Sequence, residues 1–115
     1  MVKIICDSTG DLPPDLVKKY GISVIPLNVI FGTETLQDGL TVTPEVFYKR
    51  LVTDKVHPTT SAPAPGLYTE LFKKLAKETD EILVLTISGG LSATCESALQ
   101  AKNLVEGLCK IEIID

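Results

Sequence analysis

A chain of 115 residues has room for one hydrophobic core and one domain. Eleven Lys and Arg against fifteen Asp and Glu leave a net charge of −4, the wrong sign for a partner made of nucleic acid. With 44% hydrophobic and 23% charged residues the composition is that of an average globular domain, and apolar runs such as Ile82 to Leu85 fall far short of the roughly 20 residues a membrane helix needs.

Val2 to Cys6 is a short continuous apolar run, the pattern of a strand buried on both faces of a parallel sheet. The polar stretch Asp7-Ser8-Thr9-Gly10-Asp11 follows, and Pro13 and Pro14 open a helix at a place where a missing N–H costs nothing. Leu12, Leu16 and Tyr20 keep a spacing of four along it, and Gly21 supplies its stop. Ile22 to Phe31 reads as a second strand, in which Pro26 removes a ladder donor and points to an edge position or a bulge. Between Gly32 and Val42 the pattern breaks around Gly32, Asp38 and Gly39, as in an extended loop or a short hairpin. Thr43-Pro44-Glu45 predicts a helix start, with Thr as N-cap, Pro at the first helical position and an acid in the first turn. Phe47 and Leu51 share the inner face of that helix.

The Pro-rich stretch His57 to Gly66 reads as a loop leading into a helix with Leu67, Leu71 and Leu75 on its inward stripe. Glu81 to Ser88 is the clearest strand. After the loop Ser88-Gly89-Gly90-Leu91-Ser92, a helix from Ala93 to Glu106 carries Ala98, Ala101, Val105 and Leu108 inward. Gly107 stops it, and Ile111 to Ile114 begins another strand. This rhythm of strand, helix-length crossover and strand predicts an α/β fold, a mostly parallel sheet with helices on both faces. Because the sequence reaches Asp115 on or just after a strand, the expectation is a fragment of a longer chain.

The chemistry on offer is narrow. The three cysteines, Cys6, Cys95 and Cys109, cannot all pair with one another and show no C-x-x-C spacing, so they read as reduced thiols of a cytoplasmic protein. Val2 to Cys6 runs straight into Asp7, which leaves no signal-peptide core. His57 is the single histidine, sits beside Pro58 in a polar loop, and is the only base a Ser-His mechanism has available. Gly90-Leu91-Ser92-Ala93-Thr94 is half of a nucleophile elbow without its second glycine, and no P-loop is present. Asp7, Asp11 and Asp15 are spaced by four, but their pattern misses the calcium-loop spacing, so no metal site is expected.

In open α/β sheets ligands bind beyond the carboxyl ends of the strands. The loops there, Asp7 to Asp11 and Ser88 to Thr94, together with the Thr59-Thr60-Ser61 segment, concentrate Ser8, Thr9, Thr59, Thr60, Ser61, Ser88, Ser92 and Thr94 beside glycines. Hydroxyls and helix N-terminal amides are suited to a carboxylate or phosphate, whereas the plainer role for each such residue is a helix cap.

Cys6-Asp7-Ser8-Thr9-Gly10-Asp11-Leu12-Pro13 resembles the opening of the DegV family of bacterial fatty-acid-binding proteins. The resemblance continues through Ile25-Pro26-Leu27-Asn28-Val29, Asp38-Gly39, Thr43 to Tyr48, Pro58-Thr59-Thr60-Ser61, Leu91-Ser92-Ala93-Thr94 and Ile113-Ile114-Asp115, so it spans essentially the whole sequence. It implies that residues 1–115 are the N-terminal domain of a longer two-domain chain. It further implies a long-chain fatty acid held in a tunnel between the domains, its carboxylate presented to a separate fatty acid kinase, with no cofactor and no catalysis by the carrier itself. By the same resemblance Thr60 and Ser92 hydrogen-bond the carboxylate, with Ser61 and Ser88 as weaker contacts. Gly89 stands where Ser is usual in that pattern, Ala93 where Gly is usual and Cys95 where Tyr is usual. Ala93 then narrows the approach to Ser92, and Cys95 widens the tunnel or removes a polar contact. Two other readings of the residues stand beside it: a small hydrolase or transferase with Ser92 as nucleophile, and an interaction domain that binds no ligand. A tunnel wall without its second half would expose apolar surface, so self-association of these residues is also expected.

Overall fold

The computed structural model describes residues 2–10, 12–37, 43–53, 58–89 and 92–115. Its main layer is a four-stranded parallel sheet built from β1 (Lys3–Asp7), β2 (Ser23–Ile25), β6 (Glu81–Leu85) and β7 (Lys110–Ile114), in the order β2-β1-β6-β7. Four helices accompany it: α1 (Pro14–Tyr20), α2 (Pro44–Thr53), α3 (Pro65–Leu75) and α4 (Thr94–Leu104). β2 lies on one side of β1, whereas β6 and β7 step away on the other. Right-handed crossovers in opposite directions therefore place α1 and α4 on opposite faces of the sheet, as the α/β pattern predicts. α3 packs beside α4. Ile5, Ile82 and Val84 on the strands meet Tyr68, Phe72 and Ala98 on these helices to form the main core.

The single strand expected from Ile22 to Phe31 is two strands in two sheets. β2 ends at Ile25, and β3 (Asn28–Phe31) begins a separate antiparallel sheet with β4 (Glu34–Gln37) and β5 (Thr59–Ser61), in the order β4-β3-β5. The break falls at Pro26, which has no N–H to continue a ladder, and β2 is an edge strand of its sheet. The short-hairpin alternative holds for β3 and β4. Phe31 pairs with Glu34 across a two-residue turn whose Gly32 has φ 64°, a conformation that favours glycine. Asp38-Gly39 and the rest of 38–42 lie outside the described residues.

The stretch read as a loop from His57 to Gly66 contains β5, which pairs with β3 through Val29 and Thr60. Its flanking prolines hide a strand whose partner is 30 residues away in sequence, and no local pattern announces such a pairing. His57 itself lies outside the described residues. β3 and α2 share a smaller core in which Val29 and Phe31 pack against Leu36 and Phe47. Leu51, expected on the inner face of α2, is exposed instead.

Of the expected inward stripe of α3, Leu75 is buried and Leu71 packs against the core, but Leu67 turns outward. Tyr68 and Phe72, each one residue further on than Leu67 and Leu71, carry the larger apolar area and take the centre of the core. On α4 the inward residues Ala98 and Ala101, followed by Val105, are buried as predicted. Leu108 is exposed, because Gly107 at φ 86° has already reversed the chain. Leu12 precedes α1, which begins at Pro14, and Leu12, Leu16 and Tyr20 are all exposed.

Candidate functional site

Strand alternation sends Ile5 and Asp7 to the α3 and α4 side of the sheet, so Asp7, the last residue of β1, is buried at 2% exposure. Its carboxylate is fully engaged. Oδ1 accepts the Thr9 N–H at 2.9 Å and also the Thr9 hydroxyl, and Oδ2 accepts the Ile87 N–H at 2.7 Å. Among the described residues no Lys or Arg pairs with it. Asp7 therefore ties the turn after β1 to the segment after β6 and is not available as a metal ligand. Asp15 is exposed at the start of α1, and Asp11 lies outside the described residues. Among the described residues no group of three or more His, Cys, Asp or Glu side chains is gathered closely enough to hold a metal ion. Next to Asp7, Ser8 Oγ accepts the Leu27 N–H at 3.0 Å and so fixes the crossing from the first sheet to the second.

Ser88 and Ser92 follow β6 at the same carboxyl edge. The Ser92 N–H donates to the Ser88 carbonyl at 3.1 Å, and Ser92 Oγ accepts the Thr94 N–H at 3.2 Å while lying 2.8 Å from Thr94 Oγ1. Ser92 thus caps α4 from one position before Ala93, the formal N-cap, which has no side chain for the task. Gly90 and Leu91 lie outside the described residues. The Gly89 N–H donates to Asp115 Oδ2 at 3.2 Å, and a Cβ on Gly89 would stand 3.2 Å from that oxygen, so glycine suits this approach.

Thr60 and Ser61 come from the second sheet. Thr60 is exposed on β5 opposite Val29, and Ser61 Oγ accepts a hydrogen bond from Asn28 Nδ2 at 3.2 Å. β5 leads within four residues into α3, which returns to β6 and therefore begins at the carboxyl end of the parallel sheet, as α4 does. Topology thus brings Thr60, Ser61, Ser88 and Ser92 to one end of the fold, around the N-termini of two packed helices. No hydrogen bond joins Thr60 to Ser92. The N-cap of α3, Ala64, also makes no side-chain cap.

Sequence reasoning missed Tyr68 and Thr86 at this end, and it named Thr94 without anticipating that it is buried. Tyr68 is fully buried, and burial together with the negative charge of Asp7 and the nearby Cys6 and Cys95 holds its phenol well above the ordinary tyrosine range. Burial, with Asp7 beside it, also pushes the Cys6 thiol up. Both groups are neutral at ordinary pH, so the donors at this edge are uncharged hydroxyls and backbone amides. Such a set orients an anion or carbonyl oxygen without neutralising it. A concavity of about 260 Å³ between the carboxyl end of α4 and β7, lined by Lys102, Glu106 and Lys110, lies at the opposite end of the sheet.

The DegV family profile, whose description is that of an uncharacterised protein family, matches residues 1–115. The chain belongs to the DegV family. A DegV domain-containing protein of Halalkalibacterium halodurans is 41% identical over 108 residues, covering 93% of this chain and 38% of its own length. A fatty acid (stearic acid)-binding protein of Eubacterium ventriosum superposes with a TM-score of 0.94 at 32% identity, over 100% of this chain and 41% of that one. A hypothetical protein of Thermotoga maritima, described as revealing a fatty acid binding function, has a TM-score of 0.87 at 35% identity, over 99% of this chain and 42% of that one. The chain thus spans about two fifths of the length of these relatives. No helix among the described residues is long and apolar enough to cross a membrane.

Proposed function

We propose that this DegV chain binds a long-chain fatty acid and holds its carboxylate for phosphorylation by a separate fatty acid kinase. Thr60 and Ser92 hydrogen-bond the carboxylate, with Ser61 and Ser88 as lesser contacts. The 115 residues form one wall of the tunnel, as the N-terminal domain of a two-domain site. The observation that carries this reading is the set of neutral donors at the starts of α3 and α4, in a family whose solved members hold fatty acids.

The energetics suit the division of labour. Burying about fifteen methylenes at roughly 0.8 kcal/mol each gives a gross term near 12 kcal/mol before ordering costs. A hydroxyl-to-carboxylate bond adds about 1.5–3 kcal/mol. The tail supplies affinity and the hydroxyls supply orientation. Because the donors on this wall are neutral hydroxyls, they leave the carboxylate nucleophilic toward the γ-phosphorus of ATP held by the kinase, giving acyl phosphate and ADP.

The protein itself is a carrier, working in the cytoplasm, and catalyses nothing alone. Among the described residues Ser92 Oγ is engaged with Thr94 and with no base, which argues against the hydrolase reading. Its net charge of −4 favours a kinase with a basic docking face. Native mass spectrometry of the full chain purified from bacteria is expected to detect a co-purifying fatty acid. Reconstitution with fatty acid, ATP and Mg²⁺ is expected to give acyl phosphate only when the kinase is added. Acyl phosphate formed without the kinase, or none formed with it, overturns the proposal.

A further inference from the structure

Two buried side-chain polar atoms among the described residues lack a hydrogen-bond partner, Tyr68 Oη and Thr86 Oγ1. Other buried polar groups are served: the Thr79 hydroxyl bonds to the Glu81 backbone, Thr94 to Ser92, and Asp7 to Thr9 and Ile87. A buried hydroxyl without a partner has given up water for nothing, so each such atom calls for an explanation. Both of these lie at the same end of the fold. Thr86 is the residue after β6, and Tyr68 stands in the first turn of α3, which begins at the carboxyl edge of the sheet.

We propose that Tyr68 is a further ligand-binding residue of the head-group site, its hydroxyl donating to the bound carboxylate from behind Thr60 and Ser92. The inference rests on the fatty-acid reading of that site. Four observations support it. The ring rises from the helix that Thr60 and Ser61 lead into, and that helix packs against the one that Ser92 caps. The Tyr68 side chain packs in the cluster that holds Ile5 of β1, Val84 of β6 and Ala98 of α4, where strand ends and helix starts converge. Asp7 is not its partner: the carboxylate holds Thr9 and Ile87, and the Tyr68 hydroxyl makes no hydrogen bond to it. The phenol stays protonated at any ordinary pH and is therefore a permanent donor.

Tyr68→Phe tests this in the full chain, since it removes one oxygen and keeps the ring that packs at 5.9 Å from Phe72. Displacement of a fluorescent fatty acid by palmitate and by methyl palmitate reports the head-group term separately from the tail. The melting temperature of the ligand-free protein reports any structural role. The expected result is palmitate binding weakened about tenfold, methyl palmitate binding changed less than twofold, and a melting temperature equal to or above wild type. Palmitate binding within twofold of wild type overturns the proposal and leaves the hydroxyl to an internal water. Equal losses for acid and ester, or a variant that fails to fold, assign Tyr68 a structural role and overturn it as well. A wild-type protein that takes neither lipid instead overturns the fatty-acid reading and this inference with it.

Discussion

Asp7 Oδ2 accepts the Ile87 N–H at 2.7 Å, a hydrogen bond that joins the ends of β1 and β6 across 80 residues of sequence. The same carboxylate holds the Thr9 N–H, so one buried charge sets the relative position of two loops at the candidate site. Replacing it strands two backbone donors. Asp7→Ala is expected to lower stability by about 3 kcal/mol, and Asp7→Asn by less, because the amide oxygen keeps one acceptor. Urea denaturation followed by circular dichroism checks this. A loss under about 1 kcal/mol for Asp7→Ala would show that the loops hold their places without the carboxylate.

Thr60 and Ser92 differ in what else they do, and their variants separate accordingly. Thr60 is exposed on β5 with no side-chain hydrogen bond to lose, so Thr60→Ala is expected to weaken fatty-acid binding about tenfold at unchanged stability. The sequence alone predicts the same clean behaviour for Ser92→Ala, and the structure changes that expectation. Ser92 Oγ takes the Thr94 N–H and faces the buried Thr94 hydroxyl, so its loss costs the cap as well, about 1 kcal/mol or more. Ser92→Thr keeps the oxygen and is expected to restore stability. Fatty-acid affinity unchanged in the Thr60→Ala, Ser92→Ala double variant would remove both residues from the site.

The parallel sheet was legible because its strands are short apolar runs separated by helix-length segments, and Val2 to Cys6 and Ile82 to Leu85 fall where that pattern puts them. The second sheet was not. β5 is three residues, Thr59–Ser61, made a strand only by pairing with β3, and such pairing leaves no mark on the local sequence. Pro26 was read correctly as a disturbance of the ladder, but a proline cannot tell a bulge from a change of sheet. At the site, the exposed and loop hydroxyls announce themselves by composition. Asp7 drew notice for its spacing from Asp11 and Asp15 and for its place in the first ligand loop, whereas its role is to accept backbone amides from two loops. Tyr68 was hidden for a different reason: the leucine spacing of α3 pointed to Leu67 and Leu71 as its inward face, and only the missing partner of the buried Tyr68 hydroxyl marks it out from core.

Alkaline pH offers a stability test of the same tyrosine. The folded protein keeps the Tyr68 phenol protonated well above the range near 10 where an unfolded tyrosine ionises. Above that pH the unfolded chain has released a proton that the folded chain still holds, so stability present below about 10 is lost as the pH rises. Cys6, whose thiol is also raised by burial and by Asp7, adds a loss of the same sign beginning near its ordinary value of 9.0. Tyr68→Phe is expected to flatten the alkaline limb above about pH 10 while leaving the part due to Cys6. Identical base-denaturation curves for the two proteins would show that the phenol is not held neutral.

The sheet face opposite α3 and α4 carries the remaining prediction. Val24, Cys6, Leu85 and Ile114 are register partners on the four adjacent strands, so they form one row across the sheet, and all point away from the main core. Val24 is 42% exposed, Leu85 37% and Ile114 55%, which makes the row a continuous apolar stripe rather than scattered side chains. Contiguous apolar surface of this kind drives association. The 115-residue chain is therefore expected to form dimers or larger species as concentration rises, and to bind a hydrophobic dye. Val24 and Ile114 lie on the two edge strands, where a lysine is tolerated and blocks further contact. Val24→Lys with Ile114→Lys is expected to give a monomer with weaker dye binding and stability within about 1 kcal/mol of the parent. Light scattering that finds the parent chain monomeric at every concentration, without dye binding, would show that the stripe is too narrow to hold a second molecule.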